Sequence, residues 1–120
     1  MRIVSRAQLM AMPEGTVYME NSQHSYMEGQ LCVKGETIPT NDWFTAILIT
    51  QIAAHDSGEE SDLYNKAEAD SSVDVPLSFD GYGRDGCYDD NITYCVWSDA
   101  DVGGLIDALT TARATAKGSS

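Results

Sequence analysis

Basic residues are scarce in this chain. Its 120 residues include seven Lys and Arg against 19 Asp and Glu, which gives a formal net charge of −12. Proteins bind nucleic acids and anionic membranes mainly through Lys and Arg, so this composition argues against direct DNA or RNA binding and against membrane binding. A strongly acidic surface suits solubility, or docking on a basic protein.

Long apolar runs are also missing. The best one, residues 46–54, is interrupted by Thr50 and Gln51 and is much shorter than the roughly 18 residues of a membrane span. The N-terminus has no apolar segment followed by a small-residue cleavage site, so no signal peptide is predicted. The three cysteines form no spaced framework, which favours a reducing, cytosolic compartment.

The negative charge is concentrated in one stretch. Residues 56–101 carry thirteen acidic residues against Lys66 and Arg84, a net charge of −11, whereas residues 1–55 sum to −2 and residues 102–120 to +1. This stretch therefore generates nearly all of the negative field. Its two interpretations are solubility alone and a surface that docks on a basic host protein.

The length and the 42% of hydrophobic residues predict one domain with one core, which we place at residues 1–116. Residues 117–120 are predicted to be a disordered tail or a remnant of cloning. The sequence Ser5-Arg6-Ala7-Gln8 is a capping-box pattern and predicts a short helix that ends near Met12.

Patterns typical of strands follow this helix. Residues 16–20 and 29–36 predict two antiparallel strands. Residues 73–82 predict an extended segment that Pro76 restricts to a sheet edge or a strand start, and residues 91–97 predict a later strand. Residues 43–54 fit either a helix or a strand. Their β-branched residues favour a strand that is central in a sheet or buried at an oligomer interface.

The remaining segments predict two more helices. Residues 56–72 form a polar excursion with a short helix at 59–69, capped by Ser57, and the last helix begins at Ser98 or Asp99. No alternation of strand and helix typical of parallel sheets is present. We therefore predict an α+β fold: an antiparallel sheet of about four to five strands, with a short N-terminal helix and a C-terminal helix packed on one face.

The segment Gly81-Tyr82-Gly83-Arg84-Asp85-Gly86 matches the G-x-G-x-x-G pattern of phosphate-binding loops. A dinucleotide fingerprint needs a helix after the glycines, and a kinase-type loop needs a lysine strand downstream. Neither follows here. The spacing of the nearby aspartates also departs from a calcium loop. Turn chemistry favours a β-hairpin connection, with Asp85-Gly86 as the turn pair.

A ligand-binding role of this segment stays open because of Arg84, the only basic residue between Lys66 and Arg113. Arginine in a glycine frame can make a bidentate contact to phosphate, and neighbouring aromatic rings can stack on bases. Asp85 or Asp89 is an alternative, local partner for Arg84. The predicted ligand-binding residues are Arg84, Tyr82, Gly83, Gly86, Tyr88 and Trp43.

No catalytic residue, metal ligand or cofactor is predicted. His24 and His55 lack a cysteine pair at zinc spacing, and no serine or cysteine lies in a nucleophile elbow. The carboxylates of Asp99 and Asp101 suit the first turn of a helix, where the helix dipole favours negative charge. The chain is therefore predicted not to be an enzyme.

Four stretches together resemble a group of small bacteriophage accessory proteins: IVSRAQLMAMPEGTVY, GQLCVKGETI, NDWF and FDGYGRDGCYDDNITYCVW. The resemblance spans most of the chain and implies a phage product that acts in the host bacterial cytoplasm, where proteins of this size often counter defence systems.

Two functions follow from this resemblance and from the residues. One is a homo-oligomer, meeting around Ile47 and Ile49, that sequesters an anionic nucleotide immune signal at the glycine segment. The other is an acidic inhibitor that docks on a basic host protein, either a nucleic-acid-binding or a defence protein.

Overall fold

A six-stranded antiparallel sheet organises the chain. The structure is a computed structural model, and it describes residues 1–21, 30–48, 51–79, 81–86 and 89–118. The elements in chain order are β1 (Arg2–Ser5), α1 (Arg6–Met10), β2 (Val17–Asn21), β3 (Cys32–Ile38), β4 (Asp42–Ile47), β5 (Gln51–Ile52), α2 (Ser57–Ala69), β6 (Leu77–Ser78), β7 (Gly81–Arg84), β8 (Thr93–Val96) and α3 (Asp99–Gly118). The predicted α+β class is confirmed.

The strand order in the large sheet is β1-β8-β2-β3-β4-β7, and β5 and β6 form a separate two-stranded sheet. The large sheet has more strands than the four to five that were predicted, because β1 and β7 add one edge strand each. Every pairing is antiparallel. Edge strands are short here, as is usual where an unpaired edge would otherwise recruit another chain.

The hairpin predicted for the glycine segment is wrong. β7 pairs with β4, from Phe44 opposite Arg84 to Ile47 opposite Gly81, whereas β8 pairs with β1 and β2. The two strands thus lie at different places in the sheet. The physical reason is that Thr93–Val96 is apolar enough to take a central, buried position, while the glycines suit an exposed edge.

The ambiguous segment at 43–54 contains strands and no helix among its described residues, with β4 at its start and β5 at Gln51–Ile52. β4 lies between β3 and β7, and the chain then continues into β5. Ile47, predicted to lie at an oligomer interface, is half-buried within β4, and Ile49 is outside the described residues. Since both edges of β4 are paired, an interface there could use only its side chains.

Three aromatic rings form the centre of the core. The rings of Tyr18, Trp43 and Tyr94 meet edge to face, with centroids 5.6–6.2 Å apart, a geometry that aromatic pairs prefer. Val4, Leu9 and Val96 complete the buried cluster around them. The residues come from β1, α1, β2, β4 and β8, so the core ties nearly the whole sheet together.

The capping box of α1 is confirmed: the Ser5 hydroxyl accepts from the Gln8 amide at 3.1 Å, and the Gln8 side chain accepts from the Ser5 amide at 2.8 Å. α2 is capped by Asp56, one residue before the predicted Ser57, because the Asp56 carboxylate accepts from the Glu59 amide at 2.8 Å.

The predicted C-terminal helix is present as α3, and Ser98 caps it. Its first residues approach the sheet, where Asp101 pairs with the N-terminal ammonium of Met1 at 2.7 Å. From Ile106 onwards all described residues of α3 are exposed, so the helix extends beyond the sheet. It includes Lys117 and Gly118, the first two residues of the predicted tail. Within the described residues no helix is long and apolar enough to cross a membrane.

Candidate functional site

The glycine segment forms an edge strand followed by a turn. Gly83 is exposed, its φ is not positive, and a Cβ added there would meet no atom within 4 Å. Gly86 has φ +69°, a conformation that favours glycine. Its amide donates to the Asp42 carboxylate at 3.1 Å. This amide is therefore already used inside the protein rather than offered to a phosphate.

Arg84 ends β7 with an exposed side chain. Its guanidinium lies 5.8 Å from the centroid of the Phe44 ring, its register partner on β4, which is within the range of a cation–π contact. Asp85, one of its predicted local partners, instead accepts from Arg6 at 2.8 Å. Arg84 is thus presented on the outside of the sheet edge, beside one aromatic ring.

Of the three predicted stacking residues, the structure describes the side chain of Trp43 alone. Trp43 has an exposed fraction of 0%, and its indole Nε1 donates to the Tyr18 hydroxyl at 2.9 Å. Its ring is therefore part of the core and offers no face to a ligand. The Tyr82 backbone lies in β7, but its side chain and the whole of Tyr88 lie outside what the structure describes.

The group that sequence reasoning missed is a buried cluster around Arg6. The exposed fraction of the Arg6 side chain is 1%, and its guanidinium lies 4.3 Å from the centroid of the Trp43 ring. It donates to the Asn41 carbonyl at 2.7 Å, to Asp85 at 2.8 Å and to the Tyr94 hydroxyl at 3.0 Å. We call Arg6, Asn41, Asp42, Asp85 and Tyr94 the Arg6 cluster.

Asp42 supports this cluster from the side. It is fully buried, lies 3.8 Å from Arg6, and accepts from the amides of Trp43 and Gly86 at 2.9 and 3.1 Å. Asn41 adopts φ 60°, which directs its carbonyl to Arg6. The cluster thus joins the start of α1 to the β3–β4 turn and to the end of β7.

The electrostatics of the Arg6 cluster favour a charged guanidinium. Burial by itself lowers the pKa of Arg6, but hydrogen bonds to Asp85 and Tyr94 outweigh it, and the net shift of the pKa is upward. The two terminal nitrogens of Arg6 have hydrogen-bond partners, whereas its buried Nε has none among the described residues. A buried cation paired with carboxylates in this way is a structural arrangement. The sequence signal for it is weak: Arg6 and Leu9 are three residues apart, so they share one face of α1.

A second base is also withdrawn from the surface. Lys34 has an exposed fraction of 2%, and its ammonium donates to the Gly35 carbonyl and the Thr37 hydroxyl at 3.2 and 2.6 Å. Burial lowers the pKa of this lysine. With Arg6 and Lys34 buried, five of the seven bases remain to offset the acidic side chains on the surface.

The acidic side chains are densest on the segment that we call the acidic arm, residues 51–79, which comprises β5, α2 and β6. The arm carries seven acidic residues and Lys66, a net charge of −6. Among its residues 52–79 none is buried, and Tyr64, Leu77 and Phe79 expose between 53% and 61% of their surface. Large apolar side chains surrounded by charge are typical of a docking surface.

Two shallow clefts have volumes suited to small groups. One, of about 380 Å³, lies between the start of α3 and the sheet and is lined by residues that include Arg2, Trp97 and Val102. The other, of about 310 Å³, lies on the acidic arm between Ile52 and Tyr64. Over the described ranges, no three His, Cys, Asp or Glu side chains converge as a metal site requires.

No protein-family model matches this chain, and no curated protein and no solved structure shows significant similarity to it.

Proposed function

We propose that the chain is a non-enzymatic binding protein that docks through its acidic arm on a basic partner protein. The observation that carries this proposal is the arm itself: a net charge of −6 on a helix and two short strands that bury no described side chain. Nothing in the core requires these acidic residues, and a surface of one sign steers a partner of the opposite sign.

The surface charge supports this function over direct binding of an anion. Arg6 and Lys34 are buried, but so is Asp42, and the remaining side chains keep a net charge close to the −12 of the whole sequence. An anionic ligand would have to approach against that field, whereas a protein that normally binds nucleic acid is attracted by it. The exposed Tyr64, Leu77 and Phe79 supply apolar contacts that charge alone lacks.

The setting that we propose comes from the resemblance to phage accessory proteins. In the host bacterial cytoplasm, an acidic phage protein of this kind would occupy the nucleic-acid-binding face of a defence protein. The proposal requires no catalysis, cofactor or metal, only an affinity that competes with nucleic acid.

The test is affinity capture from bacterial lysate with two variants of equal net charge. In the arm variant four exposed acidic residues of the acidic arm are neutralised: Glu60→Gln, Asp62→Asn, Glu68→Gln and Asp74→Asn. In the control variant four exposed acidic residues elsewhere are neutralised: Glu14→Gln, Glu20→Gln, Glu36→Gln and Asp107→Asn. Both changes reduce the net charge from −12 to −8.

We expect the wild type and the control variant to capture the same basic protein, and the arm variant to lose it. Capture should also weaken at high salt, because screening acts on exposed charges. Equal loss in both variants would mean that net charge alone, not the acidic arm, attracts the partner. That result would contradict the proposal.

A second function, sequestration of a nucleotide immune signal, is favoured by one observation. Arg84 is exposed at the end of β7 with the Phe44 ring beside it, a pairing of a guanidinium and an aromatic face that suits a phosphate and a base. Gly83, with open space above its backbone, would permit close approach.

Thermal unfolding against cyclic dinucleotides, cyclic trinucleotides and ADP-ribose derivatives tests this second function. A ligand at about a thousandfold its dissociation constant adds roughly 4 kcal/mol to the free energy of unfolding, a large shift for so small a domain. A shift with one nucleotide that is lost in Arg84→Ala would support sequestration. An unchanged unfolding temperature with every nucleotide would contradict sequestration.

A further inference from the structure

The cleft on the acidic arm combines an apolar side chain, an aromatic ring and several polar groups. It has a volume of about 310 Å³ and is formed by residues of β5 and α2. This volume is at the lower end of the range for small-molecule pockets, so it suits a single side chain better than a larger ligand. The lining residues are Ile52, Glu60, Ser61, Tyr64 and Asn65.

The polar groups of this cleft are not used inside the protein. Four polar side chains line it, and none forms a hydrogen bond or ion pair with another residue in the part of the chain that the structure describes. Asp56, by contrast, accepts from the Glu59 amide at 2.8 Å and caps α2. The groups in the cleft are therefore available to a donor from another molecule.

Helical spacing places these groups close together. Glu60 and Tyr64 are four residues apart in α2, as are Ser61 and Asn65, and side chains at this spacing have Cβ atoms about 5–6 Å apart. Tyr64 exposes 56% of its surface, so its ring is open to a partner. A cation that stacks on this ring is therefore within reach of the Glu60 carboxylate.

The lining matches a guanidinium better than an ammonium. A guanidinium is planar, stacks on aromatic faces and has five N–H donors, whereas an ammonium is a strongly hydrated point charge with three. The acceptors in the cleft are the Glu60 carboxylate, the amide oxygen of Asn65 and two hydroxyl groups. Ile52 supplies an apolar contact for the methylene groups that carry the charge.

The protein already holds one arginine with the same set of groups. The guanidinium of Arg6 lies 4.3 Å from the centroid of the Trp43 ring. It also donates to a carboxylate, a carbonyl and a hydroxyl, which belong to Asp85, Asn41 and Tyr94. The cleft offers a ring, a carboxylate, an amide carbonyl and hydroxyls on the surface, where the arginine has to come from another molecule.

We infer that this cleft receives an arginine side chain of the basic partner, with the guanidinium stacked on Tyr64 and paired with Glu60. The inference rests on the proposed function, which supplies the partner. It goes further because it selects arginine over lysine, two residues that net charge alone does not distinguish. Lys66, the only lysine or arginine of the arm, is not among the lining residues, so no positive charge lines the cleft.

The experiment is a titration of the full chain with two peptides of equal charge, hexa-arginine and hexalysine, followed by the amide NMR signals. We expect the wild type to bind hexa-arginine about fivefold or more tightly, because the guanidinium stacks on the ring and pairs with the carboxylate at the same time. The signals that shift most should be those of residues 60–65.

Variants separate the ring from the charge. Tyr64→Leu removes the ring and keeps the net charge, so it should abolish the preference for hexa-arginine, and Tyr64→Phe, which retains the ring, should recover it. Glu60→Gln should weaken the binding of hexa-arginine several-fold more than Glu14→Gln, which removes an equal charge outside the arm. Circular dichroism of each variant checks that α2 remains helical.

Three results would overturn the inference: equal affinity of the wild type for the two peptides, a preference for hexa-arginine that Tyr64→Leu retains, and no binding of either peptide. The proposed function would still stand if the arm variant alone loses the captured protein. Conversely, an arginine preference that depends on Tyr64, together with equal loss of the captured protein in the arm and control variants, would contradict the proposed function alone.

Discussion

The six-stranded sheet and the acidic arm differ in the burial of their side chains. The sheet encloses buried aromatic rings and a buried charge, and its core contains fully buried side chains such as Trp43 and Leu9. In the arm, by contrast, none of the residues 52–79 is buried. The side chains of the sheet stabilise the fold, whereas the side chains of the acidic arm are exposed to solvent.

This difference separates stability from recognition. A residue in the sheet contributes through contacts that solvent cannot replace, so its loss should cost several kcal/mol. A residue in the arm already contacts water, so its substitution should change binding and leave the free energy of unfolding nearly unchanged. Most of the predictions below use matched pairs, one residue from each kind of environment.

The largest effect is expected at Arg6. Arg6→Met leaves Asp42 and Asp85 without their buried cation, and removing one partner of a buried pair costs about 3–5 kcal/mol. Arg84→Met, at an exposed arginine, should stay within about 0.5 kcal/mol of wild type. Urea unfolding of both variants provides the measurement. A loss at Arg6 as small as that at Arg84 would show that the Arg6 cluster does not support the sheet.

Leucine truncation compares the two regions directly. Leu9 has an exposed fraction of 0%, so Leu9→Ala should cost about 2–5 kcal/mol, the range for buried leucines. Leu63 is a half-buried residue of α2, and Leu63→Ala should cost less than about 1 kcal/mol, since much of its surface is already hydrated. Chemical denaturation gives both values. Similar losses at the two positions would remove the distinction between sheet and arm.

Removal of a hydroxyl makes the same comparison for polar groups. The Tyr18 hydroxyl accepts from Trp43 Nε1 at 2.9 Å and donates to Thr45 at 2.7 Å. Tyr18→Phe leaves the buried indole nitrogen without this acceptor, at a cost of about 1–3 kcal/mol. Tyr64→Phe, on the exposed face of the arm, should be neutral. Thermal unfolding of the two variants provides the measurement. Equal stability of Tyr18→Phe and Tyr64→Phe would show that the buried hydrogen bonds of Tyr18 do not stabilise the fold.

The smallest effect concerns the contact between α3 and the sheet. The N-terminal ammonium of Met1 and the hydrogen bonds from Ser98 lower the pKa of Asp101 to about 2. In the unfolded chain the pKa of an aspartate is higher, about 3.9. The ionised Asp101 carboxylate therefore stabilises the fold fully above that pH, and this contribution is lost as the pH falls towards 2. Asp101→Asn should therefore be less stable than wild type near neutral pH, and the difference should vanish at the acidic end. A loss of stability in Asp101→Asn that is equally large at neutral and at acidic pH would refute the assignment.

The fold could be predicted where the local signals were strong. The capping box at Ser5–Gln8, the β-branched residues of β4 and the polar stretch that contains α2 each indicated the right element. β7 was predicted only in part, because the extended segment at 73–82 ends inside it and the glycines that follow were interpreted as a turn. Its pairing with β4 depends on contacts between segments nearly forty residues apart, which local patterns do not report.

The candidate site was harder to predict than the fold. Trp43 was assigned to stacking because aromatic residues favour both ligand sites and cores, and only its position in the sheet decides between them. Arg6 was not selected because an arginine near the N-terminus of a short helix is usually exposed. Its burial follows from the convergence of Asn41, Asp85 and Tyr94, three residues that are distant in sequence. Arg84 and the acidic arm remain predictions as binding elements.

Amide hydrogen exchange, with and without the captured partner, tests the separation of stability from recognition most directly. In the free protein we expect slow exchange in β2, β3, β4 and β8 and faster exchange in α2. With the partner added, new protection should appear on the acidic arm while exchange in the sheet stays the same. Protection confined to β7 and Arg84, with the arm unchanged, would contradict the account and move the recognition surface to the sheet edge.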